Sequence, residues 1–285
     1  MIGDIHGGMH GQMAAWAEAE ERAMEYYERA GWPPSICCPK IAAALYHGPI
    51  AAPNAIRRCQ QLVRRAGSDR VSEAGVLVFL GGLVAMQGQF ARARELLSRA
   101  RTSYEELRVT GVLVGVCDSI RAKAEMIAGK YDAAEMILRA TCESYDELGE
   151  HGHFATQAGA LAEALYCQGR LEEASEFCRR CAVRAASDDF SAQILWRSVS
   201  AKINAREGES AQAEVRAREA VDLAAHTDAL NRHGEALLDL AEVLRLDDRL
   251  GEAAAAAEEA LQLFTQKGNS VALRRAGKLL QLARL

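Results

Sequence analysis

The feature that most constrains this chain is a period. A Gly or Asp, a polar residue and usually an apolar one recur as Gly88-Gln89-Phe90, Gly129-Lys130-Tyr131, Gly169-Arg170-Leu171, Gly208-Glu209-Ser210 and Asp248-Arg249-Leu250. The spacings are 41, 40, 39 and 40 residues, and Gly48-Pro49-Ile50 lies 40 before Gly88 as a sixth copy. Each triplet sits between two Ala- and Leu-rich stretches, the pattern of a helix C-cap followed by the next helix. A helix pair of this size cannot bury its apolar face alone, so successive pairs must stack.

Numbering each copy from its turn residue locates the packing surfaces. Five residues on stand Ala93, Ala134, Ala174, Ala213 and Ala253; twelve on stand Ala100, Thr141, Cys181, Ala220 and Ala260; seven before stand Gly81, Ala122, Ala162, Ala201 and Ala241. Small residues at fixed places on both helices let the backbones approach closely. A second glycine, Gly111 and Gly152, recurs 23 residues after the turn, where the second helix is expected to end. The chain therefore reads as all-α, a right-handed superhelical solenoid of antiparallel helix pairs in roughly 40-residue units. The expected organisation is a single solenoid over 1–285: a truncated first unit over 1–30, six helix pairs over 31–268 and a closing helix over 269–285. Pro33, Pro34 and Pro39 are expected to shorten the first helix of the first pair.

Composition supports this and excludes other classes. Five prolines and 6% aromatics accompany abundant Ala, Leu, Glu and Arg, the helix-forming set. A net charge of -5 argues against nucleic-acid binding, whose footprint is basic. The longest apolar run, Gly75 to Met86, has 12 residues, too few to span a bilayer. With no signal-peptide pattern at the start, the eight cysteines read as reduced thiols in a cytoplasmic protein.

The unit length and the Ala/Gly positions resemble tetratricopeptide-type repeats. The phrases GPIAAPNAIRRCQQL (48–62), LVAMQGQFARARELLSRAR (83–101), ALAEALYCQGRLEEA (160–174) and LLDLAEVLRLDDRLGEAAAAAEEALQLFTQKGN (237–269) resemble the C-terminal repeat region of bacterial class III adenylate cyclase-like and transcriptional-regulator signalling ATPases. That resemblance implies an upstream ATPase or cyclase module as a partner. No G-x-x-x-x-G-K-[ST] phosphate loop occurs in this sequence, so the role of the tail carries over and the activity does not.

Four motifs invite a chemical reading. Gly3-Asp4-Ile5-His6-Gly7 looks like the first metal-binding motif of calcineurin-like metallophosphoesterases. A two-metal site needs ligands from several loops, yet Gly-Asp occurs nowhere else and no Asn is followed by His. Gly8 lies 40 residues before Gly48, so this stretch reads as the edge of a truncated repeat. Cys178-Arg179-Arg180-Cys181 has redox spacing but falls mid-helix, with Cys181 in a small-residue slot, and reads with Cys37-Cys38 as buried thiols. Glu147, Glu150, His151 and His153 read as an exposed loop between helices. The runs Arg57-Arg58, Arg64-Arg65 and Arg179-Arg180 read as solvated helical faces. No metal, cofactor or catalytic residue is expected.

One pattern points to a partner. Six residues before successive turns stand Lys123, Glu163, Lys202 and Glu242, on the helices that line the concave surface of such solenoids. Arg197, Glu235 and Asp239 lie beside them. They read either as ion pairs between units or as a polar groove for a peptide. The expected function is a non-enzymatic scaffold for protein–protein contacts or a regulatory module of bacterial signal transduction. Two alternatives are a sensor whose concave groove binds an effector or peptide, and a fragment of a cyclase or ATPase regulator lacking its catalytic domains. The partner is expected to be a protein or peptide, with neither nucleic acid nor membrane involved.

Overall fold

The computed structural model describes residues 11–284; the Gly3–His6 motif and Gly8 lie outside them. Fourteen α-helices make up the described chain: α1 (Met13–Arg29), α2 (Cys38–His47), α3 (Ala52–Ala66), α4 (Arg70–Met86), α5 (Phe90–Glu106), α6 (Val112–Ile127), α7 (Tyr131–Leu148), α8 (His151–Cys167), α9 (Leu171–Arg184), α10 (Phe190–Arg206), α11 (Ser210–Ala225), α12 (Leu230–Leu246), α13 (Leu250–Lys267) and α14 (Ser270–Ala283). A 3-10 turn, Pro34–Cys37, precedes α2. From α2 to α13 consecutive helices pack as antiparallel pairs, and each pair stacks on the next, giving a tetratricopeptide-like solenoid.

The five regular turns share one geometry. Gly88, Gly129, Gly169, Gly208 and Asp248 all have φ between +61° and +87°. In each, the following residue donates back to a carbonyl five positions earlier, as Lys130 to Glu125 (2.9 Å) and Arg249 to Leu244 (2.9 Å). That is the Schellman cap, which needs a left-handed residue and so favours glycine. Gly48 departs from the expected sixth copy. Its backbone is extended (φ -83°, ψ -171°), because the proline that follows disfavours helical geometry at the preceding residue. The expectation for Gly152 is also corrected: α7 ends at left-handed Gly149, and Gly152 lies in the first turn of α8. Gly111, likewise, starts α6 as its N-cap instead of ending α5.

The small-residue slots lie in the seams. Ala93, Ala134, Ala174, Ala213 and Ala253 have no exposed surface, and the two other slot series are buried throughout. The spacing is tight: a Cβ at Gly81 would come within 2.7 Å of Leu97 Cγ. Larger residues such as Leu97, Leu138, Leu161 and Leu165 fill the space between the slots. The charged runs face outward; Arg58 donates to Glu21 (2.6 Å) and Arg180 to Asp146 (3.3 Å) across to neighbouring helices, while Arg179 pairs with Glu176 of its own helix.

The stack does not remain open. Lys267, at the end of α13, is fully buried against the first pair, and its Nζ donates to the carbonyls of Leu45 (3.0 Å), Gly48 (2.6 Å) and Ile50 (3.0 Å). Those carbonyls include orphans at the end of α2, so a cation there complements the helix dipole. Gln87 donates to Gly268 O (2.6 Å) and Ser270 to Met86 O (3.2 Å), joining α4 to the α13–α14 junction. Helix α1 crosses to the same side: Asp228, before α12, accepts from the backbone N–H of Met13 (2.7 Å) and Ala14 (2.8 Å) and caps α1. The first and last units thus meet, and the solenoid closes into a ring.

Candidate functional site

Closure turns the concave surface into an interior. The first helices of the pairs, α6, α8, α10 and α12, together with α14, surround a chamber of about 590 Å³. A second, more apolar chamber of about 160 Å³ adjoins it, walled by Tyr46, His47, Ile120 and Phe190 among others. Lys123, Glu163, Arg232 and Glu235 line both.

The residues singled out from the sequence take different positions here. Lys123 and Glu235, 112 residues apart, meet across the interior with Nζ–Oε1 at 2.7 Å. They stand where the two chambers join. Glu163, Asp239 and Glu242 line the larger chamber. Lys202 has no exposed surface; it lies beneath the wall and donates to both oxygens of Glu163 (2.6 and 2.7 Å) and pairs with Asp239 (2.9 Å). Its expected place in an accessible groove is therefore corrected, because the two carboxylates hold it inside the seam. Arg197 is also corrected: it points away from the chamber to Glu219 of α11 (3.1 Å), its guanidinium lying 4.3 Å from the Trp196 ring.

Burial and charge order this cluster. Burial would depress Lys202, but Asp239, Glu163 and Glu242 raise it well above the usual lysine range. Burial pushes Glu163 up, yet the charge and hydrogen bonds of Lys202 bring it below the ordinary carboxyl value. Asp239 accepts only one short contact from Lys202; burial, reinforced by the Glu163 charge, lifts it to about 6. Lys202 therefore sits between two carboxylates on which burial and its own charge act in opposite directions. Burial works on Glu235 the same way but loses to Lys123 and Arg232, which hold it below its usual value. His47 is driven down to about 3 by burial and by Arg232, Lys267 and Lys123, so a neutral imidazole faces the smaller chamber.

Several interior residues were not singled out from the sequence. Tyr166 donates to Glu242 (2.6 Å) and accepts from Arg206 (2.8 Å). Arg232 and Arg275 line the larger chamber, and Asn269 donates to Asn231 at 3.0 Å. Arg275 stands 40 residues after Glu235, but it follows no numbered turn, and the slot that led to Lys123 and Glu163 does not reach it. Neither Arg232 nor Tyr166 occupies that slot.

Elsewhere the candidate chemistry resolves into packing. Cys178 and Cys181 are buried and contact the carbonyls of Trp196 (3.9 Å) and Ala192 (3.6 Å). Burial pushes the Cys181 thiol up to about 12, the opposite of a reactive thiolate. Cys37 is likewise raised to about 12, by burial and by Glu20. His153 and Glu150 approach to 3.6 Å at the surface; among the described residues no three His, Cys, Asp or Glu side chains are grouped to hold a metal ion. No helix of the described residues is long and apolar enough to cross a membrane.

Comparison with known proteins gives fold and no family. No family model matches the chain, and no curated protein matches it in sequence. Among solved structures, it is similar to a Rap protein complexed with the competence and sporulation factor: TM-score 0.60, 15% identity, 88% of this chain and 75% of that one. The quorum sensor NprR from B. thuringiensis, in its apo form, matches at TM-score 0.53 and 14% identity over 81% of this chain and 63% of that one. Cut9 of the APC/C Cut9–Hcn1 hetero-tetramer matches at TM-score 0.65 and 13% identity; the match covers 96% of this chain but about half, 53%, of that one. These similarities establish the tetratricopeptide-like fold.

Proposed function

We propose that this chain is a non-enzymatic, ligand-sensing repeat module whose closed interior takes a short peptide. The observation that carries the reading is the larger chamber. At about 590 Å³ it falls within the 300–1,000 Å³ usual for ligand pockets. A few extended residues suit that space better than a helix, whose diameter with side chains is about 10–12 Å. Its lining supplies both charges and apolar surface, the mixture that orients a ligand while burying it. Two of the solved neighbours, the factor-bound Rap protein and the quorum sensor NprR, support ligand sensing.

A binding-induced change would be transmitted through the ring. A ligand that reaches both chambers has to part Lys123 from Glu235, and so favours one arrangement of α6 and α12 over another. The module would report that shift to a protein partner or to an attached ATPase or cyclase module, the context in which the resembling repeat tails occur. The experiment is a titration of the purified chain with pools of short peptides, cyclic nucleotides and oligosaccharides, read by thermal shift. Stabilisation by a peptide pool alone is expected. Absence of all binding, together with recovery of a protein partner on the outer surface, would return the chain to the scaffold reading.

A further inference from the structure

The larger chamber is unevenly neutralised. Four cations line it, Lys123, Arg206, Arg232 and Arg275, against four carboxylates, Glu163, Glu235, Asp239 and Glu242. Lys202 adds a fifth positive charge from beneath the wall and occupies two of those carboxylates at hydrogen-bond distance. Lys123 occupies the third, and Tyr166 donates to the fourth. Nothing comparable remains for two of the arginines.

Arg232 reaches Glu235 only at 3.7 Å, and Arg275 reaches Asp239 only at 4.0 Å. Both carboxylates are already held by a lysine. Neither guanidinium donates a hydrogen bond to any of the described residues, and Arg275 keeps 57% of its side-chain surface exposed. An arginine presents a planar fork of five donors that matches a carboxylate bidentately. Two such forks, on α12 and α14, stand at one chamber with their donors unspent.

Resting on the reading of the chamber as a peptide site, the geometry points to Arg232 and Arg275 as receiving groups for two carboxylates; a peptide's C-terminus supplies one, so the second comes from an Asp or Glu side chain and the peptide is an acidic one. The surplus cation balances the incoming charge, and Glu235 and Asp239 stay with their lysines. A basic peptide would instead meet four carboxylates already paired and two repelling guanidinium groups.

The test dialyses the full chain against a random hexapeptide pool and reads the retained peptides by mass spectrometry. Retained peptides are expected to be enriched in Asp and Glu. Arg232→Gln and Arg275→Gln are each expected to weaken retention of the acidic fraction about tenfold or more, the usual size of a lost charged hydrogen bond, with the helical circular-dichroism signal unchanged. Arg275→Lys, which keeps charge and loses the fork, should restore part of it. Retention of neutral or basic peptides overturns the anion assignment and leaves the peptide reading standing. Retention of nothing overturns both. Displacement of the retained peptides by tripolyphosphate but not by glutarate would make the site a phosphate site and overturn the carboxylate assignment.

Discussion

Between α8 and α9 the buried side chains include Ala162, Ala174 and Cys181, none with exposed surface. Where α13 meets α2, by contrast, a buried ammonium is held by three backbone carbonyls. The first kind of contact recurs about every 40 residues along the stack and joins residues close in sequence, Ala162 and Ala174 being 12 apart. The second occurs at one place and joins residues more than 200 apart. A seam of small side chains fixes the distance and angle between units, and it can be repeated without limit. Closure fixes how many units there are and converts an open groove into a chamber. Shape therefore follows from the repeat, and the site follows from the contact that breaks it.

The largest expected effect tests the seams as a class, through pH. Burial pushes the thiols of Cys59, Cys117, Cys142, Cys167 and Cys181 up to about 12 from 9.0. Between those values the unfolded chain has lost protons that the folded chain keeps. Their contribution to stability is thus fully present below pH 9 and is lost as pH rises toward 12. The melting temperature should fall steeply over that window, and a Cys59→Ala, Cys117→Ala, Cys142→Ala variant should show a shallower fall. Equal slopes would mean that these thiols are open to solvent.

A single seam is tested by Ala174→Leu. The added side chain has no space at a site with no exposed surface, and denaturant titration should show a loss of about 1–3 kcal/mol. Lys267→Met tests closure at similar size and different reach. It leaves the carbonyls of Leu45, Gly48 and Ile50 without their donor, at about 1–3 kcal/mol for unmade buried hydrogen bonds. Hydrogen exchange should quicken in α2, α13 and α14 while α7 to α9 keep their protection. Uniform quickening would show that closure and seams are one cooperative unit.

Smaller effects sharpen the contrast. Asp228→Ala removes the cap of α1 and should cost about 0.5–2 kcal/mol, with exchange rising in α1 alone. Lys123→Glu replaces one partner of a pair whose lysine side chain is 38% exposed; solvent screening holds the cost to about 0–1 kcal/mol. A large destabilisation by Lys123→Glu would make the pair part of the framework.

The same contrast explains what could be read in the chain. The seams were legible because Ala174 and its equivalents repeat at 40-residue spacing, and a period reveals geometry even where single residues do not. Closure was not, because nothing about Lys267 announces that its acceptors lie 217 to 222 residues earlier. Gly48 looked like a sixth copy, and only its following proline marked the extended backbone that offers its carbonyl to Lys267. In the site, the slot six residues before each turn led to Lys123, Glu163 and Glu242 at the chamber. It placed Lys202 too, but the slot carried no sign that two carboxylates would bury it. Arg197 shares a helix with Lys202 yet lies on the side facing Glu219, since five residues of α-helix rotate a side chain by more than a full turn. Arg275 was hidden because the closing helix has no following turn from which to number it.

Small-angle scattering of the purified chain tests the central claim, that the stack closes on itself, most directly. A closed ring gives a compact, symmetric pair-distance distribution, and Lys267→Met should extend its tail. A wild-type distribution already carrying the long tail of separated end units would contradict closure and, with it, the chamber.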